Sequence, residues 1–171
     1  MEIIGWLLLA ALLVLSPLSW IKPTPRHKKL VRLREEARRL GIKVTLTPLK
    51  LKDDVKIPGT AYRWLRPPDA PDMPGYLCLL RKSMEEARPS WEEWAEGWVL
   101  AEGRTSFLTE TQLQEFNAWL KSLPENVFAV EWGSATLAIW WDERAEPEIL
   151  STWNDQVQKL LALPCKPPGR T

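Results

Sequence analysis

The chain begins with 19 positions, Ile3 to Ile21, that carry no charge. Between Ile3 and Leu15 no polar face appears, so the segment lacks the amphipathic period of a helix lying on a core. At about 1.5 Å per residue a helix of this length reaches roughly 28 Å, close to the hydrocarbon thickness of a bilayer. Trp6 and Trp20 stand near its ends, where indole rings favour the headgroup level, and Pro17 falls in the last turn. The pattern predicts a transmembrane anchor over residues 1–21. An acidic start, Met1-Glu2, and the stretch Ser16-Pro17-Leu18-Ser19-Trp20 argue against a cleaved signal peptide, which needs a basic start and a small-residue cleavage site.

Beyond the anchor the period becomes helical. Leu30, Leu33, Ala37 and Leu40 form a narrow apolar stripe on an otherwise basic segment. Thr24 suits an N-cap, Pro25 the first helical position and Gly41 the stop, so residues 22–41 read as a basic juxtamembrane stalk helix. The period then drops to two. Ile42, Val44 and Leu46 alternate with Lys43, Thr45 and Thr47, and the phase slips at Pro48. Strands are expected at 60–66, 76–81 and 98–102, with a stiff proline-rich loop at 67–75. Ser90 and Glu93 read as a capping box opening a short helix around Trp91–Ala95; Thr109 and Gln112 form a second one. Leu113, Phe116, Trp119, Leu120 and Leu123 give the second helix its apolar face, and Pro124 ends it. Residues 127–132 and 136–141 flank a glycine-containing loop as a hairpin, and Pro147 opens a last helix facing inward through Ile149, Trp153, Val157 and Leu160. The fold class expected is α+β: an N-terminal transmembrane helix and a basic amphipathic stalk helix, then a mainly antiparallel sheet with helices on one face. Residues 42–163 form the folded domain and 164–171 a disordered tail.

Charge assigns an orientation. Residues 22–43 hold nine cations against two acids, while the residues before Ile3 hold no lysine or arginine. The positive-inside rule then predicts a single-pass inner-membrane protein with its N-terminus outside and the rest cytoplasmic. Lys22, Arg26, Lys28, Lys29 and Arg32 are the expected contacts with the lipid surface. Residues 44–171 are acidic, 14 cations against 19 acids, and the whole chain carries a net charge of +1, so no nucleic-acid partner is expected.

Catalytic patterns are scarce. The eight glycines form no phosphate loop, and His27 is the sole histidine, lying among cations. Cys78 sits in an apolar run as a small hydrophobe, and Cys165 in the tail as an exposed spectator. Asp53/Asp54, Glu85/Glu86, Glu92/Glu93 and Asp142/Glu143 are adjacent acids, which point apart and rarely form an acid–base pair. No cofactor and no metal are expected. The chain holds 11 tryptophans. Trp119 and Trp153 lie on helix faces as core; Trp140 and Trp141 must point to opposite sides of a sheet. Trp91, Trp94 and Trp98, spaced by three and four among Glu92, Glu93 and Glu96, close the core or form a partner surface, since tryptophan is enriched at binding hot spots.

The run Ile21-Lys22-Pro23-Thr24-Pro25-Arg26-His27-Lys28-Lys29 after an uncleaved apolar helix resembles the start of YajC, the accessory subunit of the bacterial Sec translocon. The whole chain looks more like gammaproteobacterial single-pass membrane proteins of unknown function that are loosely YajC-like, a resemblance that implies location and no catalytic residues. The expected function is a membrane-anchored, non-catalytic adaptor or accessory subunit of a bacterial inner-membrane complex, its partners the bilayer and a protein of that complex. The alternatives are a YajC-like Sec accessory factor and a membrane-tethered enzyme using carboxylates and a metal.

Overall fold

The computed structural model describes residues 3–6, 24–52, 54–70, 73–88 and 90–165. Helix α1 (Pro25–Arg39) starts as its sequence requires: the Thr24 hydroxyl accepts the His27 N–H at 3.2 Å, and Pro25 occupies the first turn. Gly41, at φ +75°, supplies the left-handed residue that ends it. Among the described residues nine strands follow in order: β1 (Lys43–Thr45), β2 (Leu49–Lys50), β3 (Lys56–Ile57), β4 (Thr60–Leu65), β5 (Leu77–Arg81), β6 (Glu92–Ala95), β7 (Trp98–Gly103), β8 (Val127–Trp132) and β9 (Thr136–Trp141). Helix α2 (Glu110–Ser122) separates β7 from β8, and α3 (Ile149–Ala162) follows β9. The Thr109–Gln112 capping box at the start of α2 is present in both directions.

Seven strands make one antiparallel sheet in the order β1-β4-β9-β8-β5-β7-β6, and β2 and β3 form a small separate hairpin. Alternation along the strands sends two different sets of side chains to the two faces. Tyr62, Trp64, Leu79, Val130, Trp132, Ile139 and Trp141 meet α1, α2 and α3, which contribute Leu33 and Ala37, Phe116, Trp119 and Leu120, and Trp153, Val157 and Leu161. Ala61, Cys78, Leu80, Ala129, Ala138 and Trp140 face the other way and are roofed by Leu49, Leu51 and Ile57 of the hairpin. Small residues line the floor under the hairpin, which lets it settle close, and the Trp140 indole N–H fixes it by donating to the Thr47 carbonyl at 3.1 Å.

Two expectations need correction. Among the described residues no helix is long and apolar enough to cross a membrane. Only residues 3–6 of the expected anchor are described as helix, with Ile3, Ile4 and Trp6 exposed; its residues 1, 2 and 7–21, and Lys22 and Pro23 of the expected stalk, lie outside the described residues. The transmembrane part of the expected fold class, and the single-pass inner-membrane location built on it, therefore do not stand; the antiparallel sheet with helices does. The second correction concerns residues 91–95. Ser90 and Glu93 open no helix, because β6 pairs with β7 in register Glu92 to Leu100 and Glu93 to Val99. A tertiary pairing outweighs a local capping signal.

Candidate functional site

The sheet divides the tryptophan triad. Trp98, at the start of β7, is buried on the helix side, with the Arg81 guanidinium 4.3 Å from its ring centre. Arg81 also donates to the carbonyls of Leu123, Pro124 and Val127 at 2.8–3.1 Å, satisfying acceptors left over where α2 ends. Trp94 is half-buried on the same side: its indole N–H donates to Asn117 Oδ1 at 2.8 Å and its ring meets Phe116 edge-on at 6.2 Å. An irregularity in the register between Glu93 and Ala95 helps turn it there. Trp91 goes the other way. Like Met84 and Ala87 it packs against the hairpin-side core, half-buried, with Arg88 beside its ring at 5.7 Å.

Trp91 forms the wall between two open clefts. One, of about 380 Å³, runs from Leu51 and Lys52 of the hairpin past Trp91 and Glu92 to Glu102. The other, of about 260 Å³, is bounded by Lys82, Arg88, Trp91, Glu93 and Val99. The backbone N–H of Lys52 donates to the Glu102 carboxylate and closes the hairpin end of the first cleft. The aromatic wall with cations and carboxylates at its margins gives this patch an apolar centre and a polar rim.

Titratable groups gather nearby on the same face. Cys78 lies opposite Glu102 on one side and Glu131 on the other, and Glu131 lies opposite Ala138, itself opposite Arg63. Burial, then the charges of Glu131 and Glu102, push the Cys78 thiol up to about 12, against a smaller lowering from the Tyr76 hydrogen bond. Burial also raises the Glu131 carboxyl, with Arg63 opposing and Glu102 reinforcing. Cys78 is thus a buried, protonated thiol, the opposite of the exposed thiolate that nucleophilic or redox chemistry uses. Among the described residues no group of three or more His, Cys, Asp or Glu could hold a metal ion.

The expected lipid-contacting cations are dispersed. Arg26, Lys28 and Arg32 are exposed on α1, while Lys29 pairs with Glu146 and, with Arg26, lines a cleft of about 410 Å³ that reaches Glu143 and Arg144. A constellation that sequence reasoning passed over lies beneath them. Glu143, a left-handed residue at φ +56°, directs its carboxylate under α1. There it accepts Arg34 Nε and Nη2 at 2.9 and 2.7 Å, the Tyr62 hydroxyl at 2.9 Å and the Thr60 hydroxyl at 3.0 Å. Its one sequence signal is Arg34 itself, set between Leu33 and Ala37 on the apolar stripe. Cys165, expected as exposed, is half-buried against the helix-side core, and Gln112 Nε2 donates to its Sγ at 3.4 Å.

No family model matches the chain, and no curated protein matches it. Among solved structures, the crystal structure of the mycobacterial trehalose monomycolate transport factor A, TtfA, is similar at 11% identity, covering 80% of this chain and 97% of that one with a TM-score of 0.44.

Proposed function

We propose that this chain is a non-catalytic adaptor or accessory subunit that holds a protein partner at the Trp91 patch. The observation carrying the reading is the position of Trp91 as a half-buried wall shared by two clefts, while Trp94 and Trp98 are drawn to the opposite side of the sheet. A buried ring contributes to folding; a ring standing between two open clefts has its remaining surface free for a partner's side chains. The buried, protonated state of Cys78 supports binding over covalent chemistry on this face.

The test is Trp91→Ala in the full chain, with a photo-crosslinking residue placed at Ser90 to trap the partner. The expected result is a melting curve close to wild type and a trapped adduct lost in the alanine variant. Binding should weaken at least tenfold, about 1.4 kcal/mol or more. Unfolding by Trp91→Ala, or an adduct equally strong with and without the ring, removes the patch as the partner site.

A further inference from the structure

The seven-stranded sheet ends on β1 at one side and β6 at the other, and neither has an outer neighbouring strand among the described residues. Each presents unpaired backbone groups along its outer edge, a template for another strand. Proteins ordinarily protect such edges by charging them, which works when any two edges that could meet carry the same sign. Here the signs differ. Lys43 on β1 and Arg38 beside it on α1 have no ion-pair partner among the described residues. They border a groove of about 400 Å³ together with Ile42, Val44 and Leu46, and Leu46 is 69% exposed. At the far end β6 carries Glu92 and Glu93, and Glu96 follows; of these only Glu93 has an ion-pair partner among the described residues, Lys82.

We propose that the basic β1 edge of one molecule pairs with the acidic β6 edge of a second copy, extending the sheet from chain to chain. The two surfaces are different, so the contact is head-to-tail: each molecule keeps one free edge after pairing, and association proceeds to open chains rather than a closed dimer. Short strands of three and four residues make each contact weak, so charge attraction contributes a large share of it. Raising the salt to about 1 M, where the screening length falls to about 3 Å, should reverse it.

Charge exchange in the full chain tests the idea. Wild type should show mass-average growth with concentration in sedimentation. R38E/K43E has acidic residues at both edges and E93K/E96K has basic residues at both, so each alone should lose that growth while melting as a folded protein. Mixing the two restores opposite signs at every junction and should restore association. A wild type that stays monomeric at millimolar concentration overturns the proposal. So does growth that persists in either variant alone, which would place self-association elsewhere, or a mixture of two folded variants that does not associate. Glu92 and Glu93 of β6 also border the Trp91 clefts, so the two readings are separated at the other edge: neither Arg38 nor Lys43 lines those clefts, and R38E/K43E should abolish self-association while leaving the Trp91-dependent crosslink to a protein partner intact.

Discussion

Replacing Arg34 by alanine measures how far α1 belongs to the domain it precedes. The Glu143 side chain is 6% exposed and holds a full negative charge between Arg34, Tyr62 and Thr60. Removing one partner of a fully buried ion pair costs about 3–5 kcal/mol. The Arg34 side chain is 38% exposed, so water screens part of its charge, and two hydroxyl donors remain on the carboxylate. The expected loss is therefore about 2–3 kcal/mol. In a domain of this size that lowers the melting temperature by about 6–12 °C. Urea denaturation of R34A, E143Q and the double variant is the assay. In the E143Q background no charge is left stranded, so the same arginine replacement should cost at least about 1 kcal/mol less. Acid titration supplies a second reading of the same pair. Burial pushes the Glu143 carboxyl up, but the hydrogen bonds from Arg34, Tyr62 and Thr60 and the Arg34 charge together outweigh it, holding it below the ordinary 4.5. The unfolded chain then binds the proton more tightly. This stabilisation is complete above about pH 4.5 and is lost as the pH falls through the folded value. Without Arg34, burial has less opposition and the acid loss of stability shrinks. An R34A variant within about 0.5 kcal/mol of wild type, or one costing the same in both backgrounds, refutes the keystone role of the pair.

Two further outcomes follow from local geometry. Gly103→Ala should cost more than about 3 kcal/mol in a thermal melt, because its Cβ would stand 2.0 Å from the Tyr76 carbonyl oxygen at φ +91°; Gly41→Ala, at φ +75° with nothing within 4 Å, should cost only about 1–2 kcal/mol. In a thiol-reagent assay at mildly alkaline pH, half-buried Cys165 should react in the native state and Cys78 only after unfolding; prompt reaction of both thiols would contradict the burial of Cys78.

How much of this was legible beforehand depended on whether the deciding interaction was local. The α2 capping box, the α1 cap and stop, and the β8–β9 hairpin rest on neighbours within a few residues, and all appear where the sequence pattern places them. Strand β6 failed because its fate is decided by pairing with β7, while its own residues carry a helix-start signal. The β2–β3 hairpin escaped notice for a related reason: Leu49 and Leu51 past Pro48 read as the first strand continuing out of phase, and it is the pairing of Leu49 and Lys50 with Ile57 and Lys56 that makes them a separate hairpin. Glu143 was hidden twice, first by Asp142 beside it, which made it look like one of several surface acids, and then by its distance of 109 residues from Arg34. The apolar run at the start suggested a membrane helix from hydropathy alone; no helix among the described residues supports that reading.

The tryptophans show how the overlooked hairpin changes the functional argument. With one covered face, the sheet would have to leave Trp140 or Trp141 against water, since consecutive residues of a strand point to opposite sides. Both are buried, Trp141 against Tyr62 and Trp153 at 5.2 and 5.1 Å, Trp140 beneath the β2–β3 hairpin with Arg63 5.0 Å from its ring centre. The helix side takes Trp64, Trp98, Trp119, Trp132, Trp141 and Trp153 without exposing one of them. Crowding therefore does not force a ring onto the surface, and Trp91 is not there as overflow. It stands where the hairpin cover stops, between Leu51 and Lys52 on one side and Arg88 on the other. A partner segment entering the two clefts would extend the hairpin's roof across the uncovered part of that face, burying the exposed part of the Trp91 ring as the hairpin buries Trp140.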